Sequence, residues 1–166
     1  TAYARAGYHE RVRHFFRFAC SLQEDNGSWE HRHYLDGYLA PSWGLQIDET
    51  GSIHWGMHQF YSLTKDDSFI EEMWPTVEKG ADFLTRFIDP VTHLPLPSMD
   101  IWEKREAEHF YSAAAVYGGL MGAAEFAAKQ GFADKAQLYV KTAEAMKKTI
   151  LQIGYNATSG SFFRAF

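Results

Sequence analysis

With 166 residues, 46% of them hydrophobic and 16% aromatic, the chain has enough apolar material for a packed core, which excludes a disordered polypeptide. Its formal charge of −5 is spread along the sequence, and no Lys/Arg cluster marks a nucleic-acid footprint. No apolar run is long enough to span a bilayer, so no membrane segment is expected.

The periodicity is helical almost throughout. Ala2 to Ala6 reads as the end of a helix stopped by Gly7. Val12, Phe15, Phe16, Ala19 and Leu22 recur at helical spacing and predict a helix over 9–24, ended by Asp25-Asn26-Gly27-Ser28. A long irregular stretch rich in Trp, Tyr, His and Gly follows, to Gly51. Ile53, Met57, Phe60, Tyr61 and Leu63 mark the next helix, with Thr50 or Ser52 near its start. Phe69 to Trp74 reads as a helical turn, and Pro75 suits the first turn of a further helix to Ile88. Pro90, Pro95 and Pro97 make 89–107 a second long loop. A helix to Lys129 follows, stopped by Gly131, and a last one covers 133–152 with Ala136, Val140, Ala143, Met146 and Ile150 inward. Ser161 to Arg164 reads as a short strand.

Connections therefore alternate between short and long. Short loops join antiparallel neighbours, so the chain reads as an all-α set of helical hairpins with both long loops at one end. Ala113-Ala114-Ala115, Gly118-Gly119 and Gly122-Ala123-Ala124 predict close helix packing rather than a phosphate loop, since no strand precedes them.

Cys20 is the single cysteine, on the apolar side of its helix. It excludes an intrachain disulfide and reads as a buried structural thiol. His31 and His33, and His54 and His58, have spacings that invite a metal. The glutamate of a zinc-protease helix is missing, however, so these histidines are read as core or rim residues, with no metal and no cofactor expected. The sparse cysteine and the lack of a visible signal peptide favour the cytoplasm, and the start at Thr1 leaves secretion open.

Both long loops combine carboxylates with tryptophan: Trp43-Gly44-Leu45-Gln46-Ile47-Asp48-Glu49-Thr50-Gly51 and Pro97-Ser98-Met99-Asp100-Ile101-Trp102-Glu103-Lys104-Arg105. Glycoside hydrolysis needs these residue types. One carboxylic acid protonates the leaving oxygen, a second carboxylate activates water, and flat aromatic faces hold the sugar. These two segments resemble the W-G-x-Q-x-D-E-x-G and D-L-W-E segments of glycoside hydrolase family 15, which includes glucoamylases, glucodextranases and some trehalases. The resemblance runs along nearly the whole chain.

It implies an (α/α)6 toroid, about half of it within residues 1–166 as one partial catalytic domain, and inverting hydrolysis of α-glucosidic bonds. Glu103 would be the general acid. Trp43 and Trp102 would line the sugar subsite, with a place in the core as their other reading. Asp100, Lys104 and Arg105 would contact substrate or support the residues that do. Gln46 and Asp48 would shape the rim, and Asp48 would also cap the helix after it. The expected substrate is a carbohydrate: an α-glucan, an isomalto-oligosaccharide or trehalose.

Four departures accompany the resemblance. The helices present make about half a toroid. The family's Arg-Asp pair falls before Thr1, and its catalytic base falls beyond Phe166. Lys104 stands where a second Glu often follows the acid. The chain is therefore expected to be an incomplete, inactive piece of a larger enzyme, prone to self-association through exposed inner helix faces. The competing expectation is a catalytically silent helical domain that binds carbohydrate or a protein partner.

Overall fold

The computed structural model describes residues 2–166. Helices α1 (Ala2–Arg5), α2 (His9–Ser21), α3 (Ile47–Thr64), α4 (Asp67–Arg86), α5 (Phe110–Lys129) and α6 (Ala133–Ile153) precede a small antiparallel hairpin of β1 (Tyr155–Asn156) and β2 (Ser161–Phe162). None of these helices is long and apolar enough to cross a membrane.

The turns follow from local chemistry. Lys65 takes a left-handed conformation (φ 52°) and returns its N–H to the Tyr61 carbonyl, closing α3. Asp66 then caps α4 by accepting from the Ser68 N–H at 3.0 Å. Arg13 on α2 reaches Asp66 at 2.6 Å and Glu72 at 2.7 Å, bracing this turn from the preceding hairpin. Gly131, at φ +84°, makes the corresponding turn between α5 and α6. Lys129 Nζ lies 3.0 Å from Asp67 Oδ1, so both tight turns share one end of the stack.

Helices α3 and α5 form the innermost pair and nearly touch. A Cβ on Gly119 would stand 2.6 Å from the Gly51 carbonyl oxygen, and one on Gly51 would stand 2.6 Å from the backbone of Ala115. The small residues of α5 thus serve helix packing, as their pattern predicts. Phe16, Phe60, Phe69 and Phe126 fill the core beside this crossing, Phe60 and Phe69 edge to face at 4.7 Å. Such a pair is worth about 1 kcal/mol beyond the area it buries.

Three elements differ from the sequence expectation. Residues 67–86 form one helix with Pro75 inside it, not a turn followed by a new helix. Pro75 cannot donate to the Glu71 carbonyl, but Glu71 is exposed to water, while Met73, Trp74 and Val77 bury the opposite face. On α6 Ala143 and Met146 are fully buried as their spacing predicts, but Tyr139 joins them, whereas Val140 is 38% exposed. Tyr139 donates its hydroxyl to Asp82 at 2.7 Å, so the larger ring takes the inner position with its polar end satisfied. Cys20 is half-buried, with Sγ 3.5 Å from the Met73 sulfur.

Candidate active site

The two long connections, 22–46 and 87–109, meet at the end of the stack opposite the tight turns. The Met99 N–H donates to the Leu45 carbonyl at 3.0 Å, and Gln46 and Met99 form a parallel bridge. The chain's last residues join them. The Phe110 N–H donates to the Arg164 carbonyl at 3.1 Å, and the Phe166 N–H to the Glu108 carbonyl at 3.0 Å.

Asp100 organises the turn that carries Glu103. Its Oδ1 accepts the Trp102 N–H at 3.1 Å, and its carbonyl accepts the Glu103 N–H at 2.8 Å. This holds Glu103 at φ 50°, a left-handed conformation costing a non-glycine residue on the order of 1 kcal/mol and often found at functional sites. Asp100 has no exposed surface. Arg164 reaches it with Nη2 at 3.0 Å and Nε at 3.3 Å. His109 Nδ1 stands 3.1 Å from Asp100 Oδ2 but is poorly aligned for a hydrogen bond, and its Nε2 faces the Arg105 carbonyl at 3.1 Å. Of the two roles open to Asp100, burial fits support of the loop rather than contact with substrate.

The Glu103 carboxylate turns toward the first loop. Its Oε1 accepts from Arg32 Nη2 at 2.7 Å and Gln46 Nε2 at 3.1 Å, and His31 Nε2 stands 3.3 Å away. Among the described residues no hydrogen bond reaches Oε2, and a quarter of the side chain is open to solvent. Gln46 is buried at the start of α3, which fixes its amide against Glu103.

Trp102 points elsewhere. Its ring packs edge to face on Tyr111 at 5.6 Å and under the Arg164 guanidinium at 5.5 Å. With Lys104, Tyr111 and Phe163 these residues wall a hollow of about 600 Å³ that Glu103 does not line. Trp43 is 64% exposed and Trp102 54% exposed, so neither belongs to the core. Lys104 and the Arg105 side chain are exposed on the same loop.

Asp48 is placed differently from its capping expectation. α3 begins at Ile47, so Asp48 lies inside the first turn, and its buried carboxylate accepts from Ser112 Oγ on α5 at 2.8 Å. Burial raises its pKa above the usual carboxylate value. Glu49 beside it is pushed up to about 6, chiefly by burial and then by the Asp48 charge. The histidine pairs also separate. His54 is buried against Trp29 with neither ring nitrogen bonded among the described residues, while His58 meets Glu125 at 2.8 Å. Among the described residues no group of three His, Cys, Asp or Glu side chains converges as a metal site would require.

His31, Arg32, His109, Ser112 and Arg164 complete this cluster, and no motif reading of the sequence singles out their roles. Arg32 and Arg164 are each far in sequence from the carboxylate they meet, by 71 and 64 positions. The arrangement offers a carboxylate with one oxygen held by donors and the other free, at the meeting of the two long loops. That combination suits proton donation to a bound sugar.

An uncharacterized glycosyl hydrolase of Methanocaldococcus jannaschii is 34% identical over 136 residues, covering 82% of this chain and 21% of its own length. The crystal structure of a bacterial glucoamylase complexed with acarbose superposes with a TM-score of 0.72 at 19% identity, over 98% of this chain and 24% of that one. The fold is thus that of part of a glucoamylase (α/α)6 toroid, and the chain spans under a quarter of either protein. The model of glycosyl hydrolases family 15 matches residues 22–166, and the chain belongs to that family.

Proposed function

We propose that the chain is the part of an inverting α-glucoside hydrolase that carries its general acid, Glu103. The observation that supports this most is the state of that carboxylate: Oε1 is held by Arg32 and Gln46 while Oε2 is free at the meeting of the two long loops. Protonated Glu103 would pass its proton to the glycosidic oxygen as the bond to the anomeric carbon breaks. A water would attack from the opposite face, activated by a carboxylate base supplied from outside residues 1–166. Trp43 and Trp102 offer flat faces for sugar rings, and Lys104 and Arg105 are polar contacts within reach of solvent. Asp100 and Asp48 act from beneath, holding the loop and the start of α3.

The carbohydrate reading is supported by the glucoamylase neighbour and its acarbose complex. The partial span of the relatives supports a larger catalytic domain. So does an apolar flank along α2, α3 and α5 on which Phe15 is 54% and Trp55 45% exposed. In isolation this flank favours self-association, and residues 1–166 alone are expected to be inactive.

The test uses the longest natural polypeptide that contains these residues. It is mixed with maltotetraose, isomaltotriose and trehalose, and released glucose is followed by proton NMR. Early β-glucose from one of them is expected and names the linkage. Early α-glucose without β-glucose would overturn inversion (trehalose, cleaved with inversion, gives one of each), and no glucose from any substrate would overturn the α-glucosidase reading.

A further inference from the structure

The Glu103 carboxylate is asymmetric in a way that general acid chemistry does not by itself require. All its side-chain partners converge on Oε1. Arg32 Nη2 donates at 2.7 Å, Gln46 Nε2 donates at 3.1 Å, and His31 Nε2 stands at 3.3 Å. The His31 side chain is only 4% exposed, and Nε2 has no well-formed hydrogen bond. A buried ring nitrogen left unpaired is costly, and here it is aimed at the candidate acid. Its other nitrogen, Nδ1, faces Ser42 Oγ at 3.5 Å, and accepting that hydroxyl's proton leaves the ring hydrogen on Nε2, the nitrogen beside Glu103. The ring is therefore held from behind, and a shift of a few tenths of an ångström in Glu103 would complete the bond to Nε2. Such contacts commonly tighten only when substrate is bound.

Resting on the assignment of Glu103 as the acid, we propose that His31 and Arg32 are positioning residues that fix Oε1, so that Oε2 is the oxygen that delivers the proton. The step balances as follows. The Oε2–H bond breaks and an O–H bond forms on the glycosidic oxygen. The bond from that oxygen to the anomeric carbon cleaves, its electron pair going to the leaving group. Water bonds to the anomeric carbon and gives its proton to a carboxylate base on the other face. His31 and Arg32 touch neither the substrate nor the transferred proton. They stop the carboxyl group from rotating its proton toward the 31–46 loop.

A leaving group that needs no proton separates this role from a structural one. His31→Asn, Arg32→Ala and, as reference, Glu103→Gln are made in the longest natural polypeptide and compared on the α-glucoside that the wild type cleaves and on α-glucosyl fluoride. For the two positioning variants, kcat on that α-glucoside is expected to fall on the order of 100-fold, the scale of a misaligned reacting group. Fluoride hydrolysis is expected to stay within about threefold, because its departure does not depend on general acid help. Parallel losses on both substrates, or no loss on either, overturn the positioning role. If Glu103→Gln itself shows no such split, the acid assignment fails first and takes this inference with it.

Discussion

The guanidinium of Arg164, near the end of the chain, closes on the fully buried carboxylate of Asp100, Nη2 to Oδ1 at 3.0 Å and Nε to Oδ2 at 3.3 Å. The same carboxylate accepts the Trp102 N–H, so one ion pair ties the β1–β2 region to the turn that presents Glu103. Removing one partner of a buried pair leaves the other uncompensated. Asp100→Ala is expected to lower unfolding free energy by about 3 kcal/mol, at the low end for such pairs because Arg164 is partly exposed. Urea denaturation would measure this, and a loss under about 1 kcal/mol would show that the pair does not hold the loop.

The close crossing of α3 and α5 separates two glycines of similar appearance. Gly119→Ala would drive a methyl into the Gly51 carbonyl and is expected to cost about 2 kcal/mol. Gly56→Ala meets Phe16 at an ordinary 3.5 Å and should instead gain up to about 1 kcal/mol from helix propensity. Thermal unfolding of the two variants should move in opposite directions. Equal shifts would mean that the crossing can open at no cost.

His54 gives the fold an acid sensitivity. Burial pushes its pKa from 6.5 to about 4, and among the described residues neither ring nitrogen has a hydrogen-bond partner. Above pH 6.5 the ring is neutral in both folded and unfolded chains, and its contribution is fully present. As pH falls from 6.5 toward 4 the unfolded chain binds a proton that the folded chain refuses. Stability then drops by about 3 kcal/mol across that window. His54→Leu should flatten this part of the stability curve, and an unchanged slope would contradict the assignment.

Glu49 has the opposite sign. Its pKa is raised from 4.5 to about 6, so its stabilisation is present below 4.5 and lost as pH rises through 6. Glu49→Gln should therefore raise stability at neutral pH by about 1 kcal/mol once solvent screening is allowed for. The gain should vanish near pH 4. A gain that persists there would place its cause in packing rather than charge.

Helix positions and the convergence of the two long loops were legible in the sequence, because hydrophobic period and loop length are local signals. Where two local signals conflicted, tertiary burial decided. Pro75 reads as a helix start, yet the buried Met73, Trp74 and Val77 carry α4 through it. Val140 fits the inner face of α6 by spacing, yet Tyr139 takes it because Asp82 satisfies its hydroxyl. Glu103, Gln46, Asp100 and Trp102 stood out through their motif. Their partners Arg32 and Arg164 did not, since a pairing across 71 or 64 positions leaves no periodic trace, and His31 drew notice only through its spacing from His33.

Steady-state kinetics of Glu103→Gln on the α-glucoside that the wild-type polypeptide cleaves is the most direct test of Glu103 as the acid. A fall in kcat on the order of 100- to 10,000-fold, with substrate still bound, is predicted. Turnover equal to wild type would contradict it and move the acid to another residue.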